Sequence, residues 1–288
     1  MTLEPKTIEY DAIVTAVKQL CIDSCYELPA DVLTALTAAA KNESDPNAAD
    51  IINKLIENAR IARDERIPIC QDTGLAVVFV EQGANVFINT PADKTLNDAI
   101  DEGVAAGYES GLLRKSVVAE PLNLRSNTNT NTPAIIHHTL VPGDKLKITV
   151  MSKGGGCENK SQFKMFLPTD DIKTVSGWIV KVVTDAGANA CPPFVIGIGL
   201  GGDFELSCLL SKKALLRNIG TTNEDSFYAK MEKDLLEMIN ASGLGPQGFG
   251  GDTTALAVHI ATAPCHIASL PVAVNIECHA HRHKSIIF

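Results

Sequence analysis

The chain has 288 residues, 45% of them apolar and 20% charged, and a formal net charge of −9 with a pI of about 5.3. This is ordinary globular composition, and an acidic surface repels phosphate backbones and anionic lipid, so nucleic acid and membrane surfaces are poor partners. No apolar run reaches the length of a membrane span, and the start, MTLEPKTIEYDAIV, lacks a basic segment followed by an apolar one, so no secretory leader is expected and a cytoplasmic location is read.

Residues 7–65 read as helical. DAIVTAVKQLCIDSCYEL carries apolar residues at helical spacing, Pro29 suits the first turn of a second helix ending near Lys41, and AADIINKLIENARIARDER forms a third, amphipathic one. Pro68 closes this block. IPICQDTGLAVVFVEQG then reads as a loop entering a strand, and TLNDAIDEGVAAGYESGLL as another helix. NLRSNTNTNTPAII is too rich in Asn and Thr for a helix interior and is expected to be loop.

From Pro133 the pattern changes. AIIHHTL and KLKITVMS are short β-branched runs separated by Pro-Gly-Asp, which predicts a hairpin. KGGGCENKSQF is a glycine-rich loop, residues 170–188 are helical, PPFVIGIGLGG is a buried strand entering a glycine-rich turn, and 224–242 is again helical. The end alternates glycine-rich loop, strand and strand through LGPQGFGGDTT, ALAVHIATA and LPVAVNIECHAH. The expected fold is mixed α/β: a helical region over about 7–65, then a mixed-sheet body with glycine-rich loops over about 66–288, its sheet largely covered on both faces.

Eight cysteines are scattered along the chain, at 21, 25, 70, 157, 191, 208, 265 and 278. Such scatter suggests reduced thiols, some of them buried and some candidate ligands. Cys70 in IPICQDTG, Cys191 in ANACPPF and Cys278 in VNIECHAH each lie at a turn ending an apolar segment, where thiolates from separate elements can converge on a metal. From spacing alone, unrelated small buried hydrophobes are the favoured reading. Cys21 and Cys25 share the apolar face of a helix, which points to core packing. Cys278, His279, His281 and His283 offer zinc-type ligands, but alternation at a chain end puts them on opposite faces, and exposed terminal histidines are the expectation.

VIGIGLGG contains GxGxxG at Gly197, Gly199 and Gly202 after a strand, as in a dinucleotide-binding turn. That fingerprint needs a second strand ending in an acidic residue about twenty positions on, and KKALLRNIGTTNED supplies none. KGGG, Lys153–Gly156, presents adjacent backbone N–H groups suited to a carboxylate or phosphate. Arg114 is a candidate carboxylate fork or a solvated helix-end arginine. His266, between apolar residues, reads by itself as a core histidine, and Asp72 as a turn cap.

Taken in order, ICQDTG, LR-x-S, N-T-N-T-P-A, KGGG-x-ENKS, ANACPPF-x-IGIGLGG, GPQGFGGDTTAL, H-x-A-S-L-P-V-A-V and C-H-A-x-R resemble the class I fumarase and L-tartrate dehydratase family, and in particular the separate alpha subunit of its two-subunit forms. The resemblance runs from about residue 10 to the carboxyl end. It implies an oxygen-sensitive hydro-lyase whose [4Fe–4S] cluster is held by Cys70, Cys191 and Cys278, leaving one iron without a protein ligand to act as a Lewis acid. It further implies substrate contacts from Gln71, Asp72, Arg114 and the backbone of Gly155, with Asp72, assisted by His266, handling the proton at the departing hydroxyl. Cys157 stands where relatives often carry serine and is kept outside the ligand set. The second domain of single-chain members, which supplies further substrate arginines, a lysine and a threonine base, does not follow. A separate beta subunit, in an α2β2 assembly, is therefore expected. The leading reaction is (S)-malate to fumarate and water, with L-tartrate dehydration as the alternative. A dinucleotide-binding protein or a zinc or purely structural protein would leave the other motifs unexplained.

Overall fold

The computed structural model describes residues 5–288. Residues 1–4, the beginning of the segment read above for a leader, lie outside it. In chain order, a short strand β1 (Lys6–Glu9) leads into helices α1 (Tyr10–Tyr26), α2 (Ala30–Asn42) and α3 (Pro46–Glu65). Strands β2 (Leu75–Gly83) and β3 (Val86–Asn89), helix α4 (Leu96–Ser110) and strands β4 (Ile135–Val141) and β5 (Leu146–Lys153) follow. Next come the single turn α5 (Gly155–Glu158), β6 (Gln162–Phe166), α6 (Ile172–Ala186), β7 (Phe194–Gly201), α7 (Phe204–Ala214) and α8 (Ser226–Asn240). Strands β8 (Ala255–Ala263), β9 (Leu270–Glu277) and β10 (His283–Ile287) complete the chain. The fold is α/β with mixed sheets. No helix among the described residues is long and apolar enough to cross a membrane.

The chain divides into two compact units that alternate along it. Residues 5–29, 59–154 and 282–288 form the first; residues 30–58 and 155–281 form the second. In the first unit a four-stranded sheet runs β10–β5–β2–β4, with β1 and β3 as a separate parallel pair. Helix α1 buries Ile13, Val17, Leu20, Cys21, Ser24 and Cys25 along one stripe, so Cys21 and Cys25 are core residues as their shared face implied. A side chain on Gly103 of α4 would come within 2.7 Å of the Val17 Cβ, and one on Gly107 within 2.9 Å of the Cys21 Cβ. These two glycines, one turn apart, let the helices approach closely. Thr95 opens α4 with a capping box, its hydroxyl accepting the Asp98 N–H while the Asp98 carboxylate accepts the Thr95 N–H, satisfying donors that a helix start leaves open.

The hairpin expected between AIIHHTL and KLKITVMS does not form. β2 lies between the two strands, parallel to β4 and antiparallel to β5. Residues Ala76–Val80 of β2 are all buried, so this strand needs a neighbour on each side and takes the centre. The Pro142–Lys145 turn instead arches over the end of β2, receiving the Gly83 N–H on Lys145 O at 2.8 Å and the Asn85 N–H on Gly143 O at 2.9 Å.

The second unit is built on the sheet β6–β9–β7–β8. β7 is parallel to β8 and antiparallel to β9. Helices α6 and α8 pack Val175, Ile179, Val182, Leu235 and Ile239 onto the sheet. Helix α7 lies against β7, where a Cβ on Gly197 or Gly199 would fall 2.0 Å from the Ser211 or Ser207 carbonyl oxygen. The glycines of GxGxxG are thus spent on close helix packing, and Gly201 and Gly202, with φ of +88° and +71°, turn the chain into the Asp203 cap of α7. No strand follows α7 before α8, so the second strand of a dinucleotide fold is missing there.

Candidate active site and metal centre

In the first unit, the loop from Arg66 to Gly74 is held from behind. Arg66 pairs with Asp23 at 3.0 Å and Glu27 at 2.8 Å and lies over the Tyr26 ring, and the Ile69 N–H donates to Cys25 O at 2.9 Å. Cys70 follows, half-buried, its Sγ receiving the Asp72 N–H at 3.4 Å and lying 3.4 Å from the Gln71 Oε1. Gln71 is exposed and Asp72 half-buried. Asp72 does cap a turn, its Oδ1 accepting the Gly74 N–H at 3.0 Å, which aims the carboxylate without consuming its second oxygen in that bond.

A small set of buried donors ties this loop to Arg114. The Thr73 hydroxyl donates to Arg114 O at 2.9 Å. The Tyr108 hydroxyl donates to Thr73 O at 2.8 Å. Asn131, fully buried, donates to Gly74 O at 3.1 Å and accepts the N–H groups of Ser116 and Val117 at 2.7 and 3.2 Å. Residues from three separate motifs are therefore locked on one framework, with the Arg114 side chain left exposed. Gly74 has φ +72° and lies so close to Lys153 that a Cβ would sit 2.4 Å from its carbonyl oxygen. Arg282, one of the largest fully buried side chains, donates from Nη1 to Asp72 O at 2.8 Å. Burial pushes the Cys25 thiol up from its ordinary range, against the pull of Arg282 and of its hydrogen bonding with Ser152, to which it donates, and with Ser24. Cys25 is thus a neutral neighbour of the loop.

In the second unit, Cys191 ends a 3-10 turn, Ala188–Ala190, in the left-handed conformation with φ 56° and ψ 65°. Its carbonyl accepts the His279 N–H at 3.4 Å, and the His279 Nδ1 lies 3.2 Å from both Cys191 O and the Gln247 amide nitrogen. Gln247 also donates to Pro192 O from its backbone at 2.9 Å and its side chain at 2.7 Å. Cys191 is thereby tied to the residue that follows Cys278. Cys157 joins them, its Sγ 3.5 Å from Ala190 O, and Gly156 sits where a Cβ would meet Asn189 O at 3.3 Å. The Sγ atoms of Cys157 and Cys278 and a carboxylate oxygen of Glu277, all buried, lie within 4.8 Å of one another. Gly155 begins the one-turn α5 beside them. The donor set suits an iron–sulfur group in kind: thiols on turns and strand ends, none of the chain's eight cysteines in a disulfide.

Two histidine expectations are corrected. His266 is exposed on the loop after β8, its Nδ1 accepting the Ala268 N–H at 3.1 Å. It is no core residue, because β8 ends before it and the apolar neighbours Ile267 and Ala268 are exposed with it. The tail histidines are not exposed. His281 is fully buried with Nε2 2.8 Å from Leu215 O; His279, set against the Cys191 carbonyl, and His283, which opens β10 antiparallel to β5, are half-buried. No sequence pattern assigns a role to Arg282, Asn131, Tyr108 or Glu277, and Cys157 stands outside the expected ligand set. Arg282 did stand in the C-H-A-x-R string and Asn131 in N-T-P-A, but only burial separates them from solvated polar residues.

A family model described as "Fumarate hydratase (Fumerase)" matches residues 14–287. The protein named "Putative L(+)-tartrate dehydratase subunit alpha" from Methanocaldococcus jannaschii is 40% identical over 274 residues, covering 94% of this chain and 95% of that protein. The L(+)-tartrate dehydratase subunits alpha of Escherichia coli O157:H7 and K12 are each 30% identical over 261 residues, covering 90% of this chain and 85% of theirs.

Proposed function

Because the chain belongs to the fumarate hydratase (Fumerase) family of hydro-lyases, we propose that it is the alpha subunit of a [4Fe–4S] enzyme that removes water from a four-carbon 2-hydroxy dicarboxylic acid. The observation that supports this reading is the hydrogen bonding of the Cys191 carbonyl to His279, the residue after Cys278, which joins the backbones of two distant motifs. Cys70, Cys191 and Cys278 would hold the cluster, a set that rests on the order of the motifs. When bound, the cluster supplies a Lewis-acidic iron toward the substrate hydroxyl.

The chain's own residues do the rest. Arg114 and Gln71, both exposed, take the substrate carboxylates, the guanidinium as a two-pronged donor, and the Gly155 backbone adds a further contact. Asp72, its carboxyl aimed by the Gly74 N–H, delivers a proton to the departing hydroxyl oxygen with help from His266, so that the C–O bond breaks with loss of water. The base that takes the proton from the neighbouring carbon is placed on a separate beta subunit, in an α2β2 assembly.

(S)-Malate and L-tartrate differ by one hydroxyl. (S)-Malate is the expectation from the motifs, whereas the names of the relatives favour L-tartrate, which becomes the first substrate to assay. The test is anaerobic reconstitution with iron and sulfide, followed by assay of both acids with a beta subunit added. About four irons and four sulfides per chain, an air-bleached visible absorption and turnover of one acid support the proposal. A colourless, iron-free chain after reconstitution sinks it.

A further inference from the structure

Cys157 belongs to the chemistry of the second unit although no expected role uses it. It follows three glycines and sits in the single turn α5, while Glu277 ends β9 and Cys278 follows it. The three side chains are buried, at 4%, 0% and 8% exposure, and their ligand atoms lie within 4.8 Å of one another. Two thiolates on one metal ion stand no further apart than two metal–sulfur bonds, about 4.6 Å for zinc. On a tetrahedral ion the separation is about 3.8 Å, so the three ligand atoms are near enough to meet on one ion after a modest inward shift of the side chains. Two thiols and a carboxylate gathered away from water form a donor set that a divalent cation can satisfy.

We propose that the chain lacking its cluster binds one thiophilic divalent cation, of the Zn²⁺ or Fe²⁺ type, through Cys157, Glu277 and Cys278. Binding releases the two thiol protons as two metal–sulfur bonds form, with no change of oxidation state. Three protein ligands leave the ion one open position. Cys278 is shared with the ligand set of the proposed cluster, so the ion and the cluster exclude one another; this clause alone rests on the hydro-lyase reading. The site makes zinc a competitor of cluster insertion, with Cys157 as the residue that serves the ion alone.

The full chain is purified anaerobically, stripped with chelator and titrated with Co²⁺. One equivalent should develop thiolate-to-cobalt charge-transfer bands and tetrahedral d–d bands. Cys157→Ser and Cys157→Ala should weaken binding at least tenfold, while Cys208→Ser leaves it unchanged. In the wild-type chain, Zn²⁺ should protect Cys157 and Cys278 from alkylation in peptide mapping, a readout that needs no variant. Absent charge-transfer bands, equal affinity in the Cys157 variants, or unprotected Cys157 would each overturn the site. Pre-loading with Zn²⁺ should slow cluster reconstitution in the wild type and not in Cys157→Ser; equal rates overturn the exclusion. Failure of the zinc-free wild type to form any cluster counts against the hydro-lyase reading and leaves the cobalt result standing.

Discussion

Asp72 is held at two points, by the Gly74 N–H on its side chain and by Arg282 on its carbonyl. Replacing it with asparagine keeps that shape and removes the transferable proton. Asp72→Asn should lower kcat by about 10²- to 10⁴-fold, the usual worth of a positioned acid or base, with the visible spectrum of the cluster unchanged. Loss of the cluster in this variant would instead make Asp72 structural. His259 is the second residue with a measurable signature. Burial, then the nearby Arg217 guanidinium, pushes its pKa from 6.5 down to about 4, against the pull of Glu232. Between these values the unfolded chain binds the extra proton and the folded chain does not. Stability therefore falls as pH drops from about 6.5 to about 4, by on the order of 3 kcal/mol from this residue. His259→Gln should flatten that part of a urea-midpoint-against-pH curve relative to wild type; parallel curves would refute it.

At the scale of the element, β8 is an edge strand, and side chains take up its backbone groups at Ala255 and Ile260. Asn240 accepts the N–H groups of Thr254 and Ala255 at 2.9 and 2.8 Å. Glu232 accepts the Ile260 N–H at 2.7 Å, and Asn223 donates to Ile260 O at 3.0 Å. This blocks pairing with another chain, the hazard of an open edge. Glu232 is also bound to Arg217 at 2.6 Å and is nearly buried. Glu232→Ala should cost about 3 kcal/mol or more, since it strands a strand N–H and a partly buried guanidinium together. Lys233→Ala, one residue on and exposed, should leave the urea midpoint where it was. Most elements were legible from periodicity: the helices over 10–26, 30–42, 46–65 and 96–110 fall where apolar spacing placed them. β1 was missed because four residues carry no readable period. The β4–β5 hairpin was misread because a local turn signal cannot reveal that β2 is the more apolar partner and claims both edges.

At the scale of the molecule, the chain is expected to build its cluster alone and to turn over only with its partner. Reconstituted alone, it should show full cluster absorbance and no dehydration of L-tartrate or (S)-malate, and added beta subunit should restore turnover. Full activity of the isolated chain would refute the two-subunit reading. Membership of the hydro-lyase family was determined by the sequence by itself, because motifs in fixed order survive without coordinates. So were the α/β class and the burial of Cys21 and Cys25, which follow from periodicity. Only the tertiary structure decided that the two units alternate along the chain, that His281 is buried and His279 and His283 half-buried, and that His266 is exposed. It alone brought Cys157 beside Glu277 and Cys278, and set Asn131 and Arg282 behind the Asp72 loop. These are contacts between residues far apart in the chain, and what makes a polar side chain a buried donor is the distant backbone group it meets, which no local pattern encodes.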